Sequence, residues 1–373
     1  MKRTTIALVL ALATAPAAVA AEPRADDPGI VTVTPEQAAA VDRGLAWLAS
    51  NQAADGSWVA KIGYKLNSDY RYTSADQGHL GVTSLACMAF LAGGHLPGRG
   101  QYGPNVERGL DWVLSCVQDD GYITRSGTRM YDHAFATLFL AEICGMTYRE
   151  DVRAKLQKAV DFIVKSQNAE GGWRYEPYAS ESDMSIVVCQ VIALRAARNI
   201  GIRVPKATVD LAARYVVDSA VTKEGIEGYP GHPSFYVNEL GTFHYQRDVH
   251  SRSSFPLTAA GVTALHGLGI YSDDLIQKGL EYLGGSLGSF NAEYAEKGHY
   301  YFWYGHYYGV QAMYTAGSPY WEPYFEELRR VLLANQKGEG SWPNTTGPGP
   351  AFGTAMAVLI LEIPYRFLPI FQR

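Results

Sequence analysis

Residues 43–58 read RGLAWLASNQAADGSW, residues 158–173 read KAVDFIVKSQNAEGGW and residues 327–342 read ELRRVLLANQKGEGSW. Each stretch joins an apolar helical stripe to a Gln, three residues and then Gly-x-Trp. Helices that end the same way at the same spacing are copies of one supersecondary unit. Weaker copies fill the intervals. Residues 108–122, RGLDWVLSCVQDDGY, keep the distance from the basic residue to the Gly but shift the Gln by one position. LAARYVVDSAVTKEG from Leu211 and KGLEYLGGSLGSF from Lys278 keep only the helical start. Six units result.

A second apolar helix follows each first one. These read HLGVTSLACMAFLAG from His79, DHAFATLFLAEICG from Asp132, DMSIVVCQVIALRAA from Asp183, PLTAAGVTALHGLG from Pro256, GHYYGVQAMYTAG from Gly305 and GTAMAVLILEI from Gly353. The first helices carry a charged face, whereas the second are apolar nearly all round. A helix apolar on every side is buried on every side. Six amphipathic helices alternating with six buried ones predict an all-α fold, an (α/α)6 barrel or α/α toroid with two concentric rings. Period-two β-branched runs are scarce, so no sheet is expected. Residues 64–77, 225–256 and 286–300 read as long loops, which in a compact domain are functional candidates.

The chain opens MKRTTIALVLALATAPAAVAAEPRADD. Lys2 and Arg3, an apolar run too short to span a bilayer and the small-residue site Ala18-Val19-Ala20 predict a secretory signal peptide over residues 1–20. A flexible segment to residue 35 and one toroid domain over 36–373 complete the expected organisation. The protein is therefore expected to be exported, periplasmic or extracellular, with no transmembrane segment. Removal of Lys2 and Arg3 takes the formal charge from −5 to −7. That balance argues against a nucleic-acid partner. Cys87, Cys116, Cys144 and Cys189 form no CxxC pair and lie in apolar helical stretches, where buried free thiols are the plain reading.

The three full repeats resemble the QW pattern of the squalene cyclase and protein prenyltransferase superfamily. Arg43, Gly44, Trp47, Leu48, Gln52, Gly56 and Trp58 fill every position, as do Lys158, Ala159, Phe162, Ile163, Gln167, Gly171 and Trp173. The last copy keeps Leu332, Gln336, Gly340 and Trp342. The resemblance implies an α/α toroid and a central cavity into which the N-termini of the inner helices open. It specifies the fold more than the chemistry. The Gln side chains are expected to bond backbone groups at a neighbouring helix, with Gly permitting the turn and Trp closing over it.

At those N-termini lie His79, Tyr131-Asp132-His133, Ser182-Asp183-Met184-Ser185, Arg252-Ser253-Ser254 and Tyr304-Gly305-His306-Tyr307. In oxidosqualene cyclases a QW motif precedes Ser-Asp-Cys-Thr-Ala, whose Asp protonates the substrate. Asp183 matches that acid, and Met184 departs from the Cys. The plain alternative for Asp183 is a helix N-cap, a role expected also of Asp132 and Asp76. The helix dipole would lower such a carboxyl's pKa, the wrong direction for an acid. Asp183, Asp132, His133 and His306 are the catalytic candidates, with His79, Tyr131, Trp303, Tyr304 and Tyr307 as substrate-binding residues. Zinc would have to draw on His79, Asp132, His133 and His306, and no spacing demands it, so no metal or other cofactor is expected. In YYFWYGHYYGVQAMY, residues 300–314, Gly305 and Gly309 predict close helix packing. Tyr300 to Trp303 would form a loop at the cavity mouth, and Tyr307, Gln311 and Tyr314 would face inward.

Three functions fit these residues. The first is a terpenoid cyclase-like enzyme acting on an isoprenoid or other apolar substrate, with Asp183 as acid and the rings of Trp303, Tyr304 and Tyr307 stabilising cation. The second is a non-catalytic toroid that binds a small apolar or glycan ligand or scaffolds an envelope complex. The third is a carbohydrate-active lyase or glycosidase using Tyr131, His133 and His306 for proton transfer. Oligomeric state is not legible in the sequence.

Overall fold

The computed structural model describes residues 31–65, 71–222, 239–247 and 251–371. The expected signal peptide lies outside these residues, as does most of the second long loop. The first helix starts where Thr34 accepts the Gln37 N–H at 3.2 Å and Pro35 fills a position that needs no donor. The described residues form twelve α-helices in six pairs: α1 (Pro35–Ser50) and α2 (Leu80–Ala92), α3 (Gly103–Ser115) and α4 (Met130–Cys144), α5 (Glu150–Ser166) and α6 (Met184–Asn199), α7 (Lys206–Asp218) and α8 (Phe255–Gly267), α9 (Asp274–Tyr294) and α10 (Tyr300–Ala316), α11 (Trp321–Asn335) and α12 (Pro350–Glu362). The even-numbered helices form the inner ring. Each packs on the next, and α12 returns to α2. Every residue of α2 is buried, as its all-round apolar sequence requires. The odd-numbered helices wrap the outside, and α1 meets α11. The fold is the expected all-α toroid.

The Gln-Gly-Trp motif is the joint between units. Nε2 of Gln52 donates to Gly56 O and to Asn105 O, both at 2.9 Å. Gln167 makes the same pair to Gly171 O at 2.8 Å and Thr208 O at 2.9 Å. Gln336 does so to Gly340 O at 3.0 Å and Ala40 O at 2.9 Å, which ties the last unit to the first. The indole N–H of Trp58, Trp173 and Trp342 donates back to Leu48 O, Ile163 O and Leu332 O. The joint glycine has no freedom to change. Gly340 sits at φ +101°, and a Cβ there would lie 2.5 Å from Arg43 O of α1.

Four features depart from the sequence expectation. Two strands, β1 (Val59–Lys65) and β2 (Arg71–Gly78), pair antiparallel where a loop was expected. Their irregular register explains why no period-two pattern announces them. Asp76 lies exposed in β2 at φ +59° and caps no helix. Residues 286–294 are not a loop, because α9 continues through Gly284, Gly285 and Gly288. Its buried stripe Ile276, Leu280, Leu283, Leu287 and Phe290 keeps helical spacing past them. Likewise Tyr300 to Trp303 begin α10 instead of forming a loop. All four cysteines are free.

The joint makes a quantitative demand. Gln336→Ala leaves two carbonyls without their shared donor and should cost about 1–2 kcal/mol. Gly340→Ala, strained in both φ and contact, should cost about 2–3 kcal/mol. Chemical denaturation measures both, and wild-type midpoints for the pair would mean that the joint does not hold the ring.

Candidate active site

The repeat places the site. Tyr175 and Tyr245 each follow their joint glycine, Gly171 and Gly241, by four residues, and each carbonyl accepts from the first residue of an inner helix, Met130 at 3.1 Å and Met184 at 2.8 Å. The two hydroxyls meet at 2.5 Å. Tyr131 and Ser185 are the second residues of α4 and α6, and their hydroxyls lie 2.6 Å apart. Tyr304, one turn into α10, donates to Ser185 O at 3.0 Å. These groups line a cavity of about 350 Å³ at the N-terminal end of the inner ring. Glu239, Arg252 and the extension of α9, with Ser286, Ser289 and Glu293, add to its polar wall. The Arg252 guanidinium lies 4.4 Å from the centre of the Tyr245 ring.

Asp183 is fully buried behind this wall and caps α6, accepting from Ile186 N at 3.1 Å. Ser185 also donates to its Oδ1. Burial pushes the carboxyl up to about 6. The Ser185 hydrogen bond, the Arg174 charge and the amide donors hold it back only in part. Arg174 stands off at 4.0 Å. Desolvation therefore outweighs the lowering expected of a cap. The result is a chain from Tyr131 through Ser185 to Asp183. With Asp183 charged, each hydroxyl donates inward and the Tyr131 oxygen can take a proton from the cavity. With Asp183 protonated, the chain reverses and Tyr131 can deliver one. Burial holds the Tyr131 phenol well above its ordinary pKa, so the phenolate forms only with such a partner.

A second cavity of about 100 Å³ shares Tyr131, Tyr175, Tyr300 and Tyr304 with the first. His79 and Asp132 sit in its wall, 3.1 Å apart through Nδ1 and Oδ1. Asp132 also accepts from Gly81 N at 2.9 Å and Arg129 N at 3.1 Å, which ties α2 to α4. Burial would raise its carboxyl, but His79 and the two amides prevail and hold it below the ordinary range.

The remaining candidates lie elsewhere. His133 is buried between Tyr122 and Phe162, and its Nδ1 accepts from Ile123 N at 3.0 Å. That is the task of Thr83 for Trp58 N and of Thr354 for Trp342 N in other units. Burial keeps His133 neutral, with a pKa of about 3. His306 faces the outer helices, bonded to Tyr324 at 2.9 Å and Asn291 at 2.7 Å. Trp303 donates to Pro343 O at 3.1 Å, and Tyr307 is buried against Phe135 and Tyr308. Neither borders the two cavities. Gln311 and Tyr314 line a small pocket that shares no residue with either. The sequence reading missed Tyr175, Tyr245, Glu239 and Glu293. The shared spacing from the joint glycine could have found the two tyrosines. Among the described residues no three His, Cys, Asp or Glu side chains converge in a way that could hold a metal ion.

Residues 32–234 match the family model of the prenyltransferase alpha-alpha toroid domain, more than half of the chain. The chain belongs to this toroid family. No curated protein sequence matches it. Among solved structures it is similar to the GH76A alpha-1,6-mannanase of Salegentibacter sp. HEL1_6, at 10% identity and a TM-score of 0.62, over 89% of this chain and 99% of that one. An alpha-amylase from Clostridium perfringens gives 8% and 0.55 over 88% and 97%. An unsaturated glucuronyl hydrolase specific for heparin gives 10% and 0.55 over 87% and 96%. At such identities the likeness shows the shared fold.

The raised pKa of Asp183 predicts a pH dependence. The folded state prefers the protonated carboxyl, so its stabilising effect is complete below the ordinary value of 3.8 and is lost as pH rises through about 6. Asp183→Asn should therefore gain on wild type by about 2–3 kcal/mol between pH 4 and pH 7. Urea titrations across that range test this, and a flat difference would refute the buried titration.

Proposed function

We propose that this toroid is an exported carbohydrate-active enzyme that cleaves an acidic glycan by proton abstraction and elimination. The observation that carries the reading is the Tyr131 hydroxyl, 2.6 Å from Ser185 and facing a cavity that also presents Arg252. Tyrosine rings offer stacking faces and their hydroxyls offer hydrogen bonds, which together suit a sugar. An isoprenoid would offer no hydrogen-bonding or charged partner to the polar side chains of this wall, whereas an acidic glycan offers both. Asp183, the acid that a cyclase would need, stands behind Ser185 and does not line the cavity. The glycan-processing enzymes that share the fold support the substrate class.

In the proposed step, Arg252 pairs with the uronate carboxylate and stabilises the charge that develops there. Tyr131 takes the proton from the carbon bearing that carboxylate while its own proton passes to Ser185, and that of Ser185 to Asp183. The electron pair forms a carbon–carbon double bond, and the bond to the glycosidic oxygen breaks. The relay then returns the proton to the leaving oxygen, and no water is consumed. Glu239 and Glu293 share the cavity, so hydrolysis by a carboxylate pair is the competing chemistry.

Incubation with uronic-acid polymers separates the two. Elimination yields an unsaturated product with ultraviolet absorbance, whereas hydrolysis yields reducing ends without it. Tyr131→Phe should lower kcat at least about 100-fold with KM little changed. Arg252→Ala should raise KM on uronates. Absence of unsaturated product from every uronate polymer would reject elimination.

A further inference from the structure

We propose that the second, smaller cavity is a subsite for the N-acetyl group of an amino sugar in the glycan. This rests on the glycan reading of the larger cavity and names a feature of its substrate. The two cavities adjoin across Tyr131, Tyr175, Tyr300 and Tyr304, so a group in the smaller one is carried by whatever occupies the larger. At about 100 Å³ it is smaller than the cavity of about 150 Å³ that takes benzene, and so suits a substituent of a few heavy atoms. Ile62, Val82, Leu85, Phe135, Phe352 and Met356 give it an apolar floor, the surroundings of a methyl group.

Its polar side is specific. His79 Nδ1 is 3.1 Å from the Asp132 carboxylate and 3.4 Å from Val82 N. A nitrogen that close to a carboxylate oxygen must carry the proton, and the longer contact is at the limit of a hydrogen bond. In the neutral ring Nε2 is then an acceptor. The group that fits places a methyl on the floor and an N–H donor at its edge, with a carbonyl left for the Tyr175 hydroxyl, which is free to donate when Tyr245 donates to it. An acetamido group has all three, whereas a ring hydroxyl lacks the methyl and an O-acetyl ester lacks the donor.

Chitotetraose and cellotetraose share a β-1,4-glucan backbone and differ only in N-acetyl against hydroxyl. Calorimetric titration of the whole protein should show chitotetraose binding about tenfold more tightly. Ile62→Phe, which fills the floor from the hairpin, should abolish that preference and leave the affinity for cellotetraose unchanged. Val82→Ile, a one-methylene change compatible with folding, should reduce it, and His79→Ala should weaken chitotetraose alone. Equal affinities in the wild type, or equal losses for both sugars in Ile62→Phe and Val82→Ile, would overturn the subsite and leave the glycan reading standing. Failure of both sugars to bind would overturn the subsite too. Only failure on every uronate polymer as well, by elimination and by hydrolysis, would bring down the glycan reading.

Discussion

The ring depends on one carboxamide geometry. A Gln at the end of an outer helix reaches its own turn and the backbone of the next outer helix with a single nitrogen. The joint glycine is pressed against that same neighbour. At Gly56, Gly121, Gly171 and Gly340 a Cβ would fall within about 2.5 Å of a carbonyl oxygen of the next outer helix. At these four joints neighbouring outer helices therefore approach backbone to backbone. Six helix pairs close a circle, and the last joint, Gln336 to Ala40, bridges 296 positions of chain. A stripe of apolar side chains tolerates a range of crossing angles. A glycine seated on a carbonyl does not.

The cavity lies where the repeat is least regular. Units four and five lack the full motif. Between Gly241 and the start of α8 the chain runs through Tyr245 and Arg252, and Tyr245 N donates to Arg252 O at 2.7 Å. In unit five no glycine joint follows α9. The helix runs on to Tyr294, and its Ser286, Ser289 and Glu293 line the cavity. Regular units supply the frame, and the two irregular ones supply most of the polar wall.

Much of this was legible in the sequence, and the limit is physical. Helix pairing, the toroid and the structural role of Gln52, Gln167 and Gln336 follow from spacing. The inner face of the inner ring does not. Because α4 and α10 are buried all round, apolar period cannot tell which residues face the cavity and which face the outer helices. His133 and His306 thus read as cavity groups although both point to the outer layer. Register succeeds where period fails. His133 occupies the place that Thr83 and Thr354 hold in their own units, where a joint amide needs an acceptor. The run Gly284, Gly285 and Gly288 misled for another reason. Glycine costs about 1 kcal/mol in a helix interior, less than the buried stripe of α9 supplies.

Capping and chemistry, opposed readings of Asp183 in the sequence, are compatible in the structure. A cap exposed to water would have its carboxyl lowered by the amide donors and the helix dipole, and it would hold no proton near neutrality. Complete burial adds a larger opposing effect, which leaves the carboxyl raised to about 6. Arg174 sets the remaining margin. At 4.0 Å it stabilises the charge without a direct hydrogen bond, and a closer pairing would remove the proton for good. The carboxyl is left close to indifferent between its two states. Ser185 and Tyr131 are the path by which that indifference reaches the cavity, because each hydroxyl can donate in either direction. A residue that does not touch the cavity is thus hydrogen-bonded through Ser185 to one that does, and the helix that Asp183 caps is the element that holds Ser185 in line.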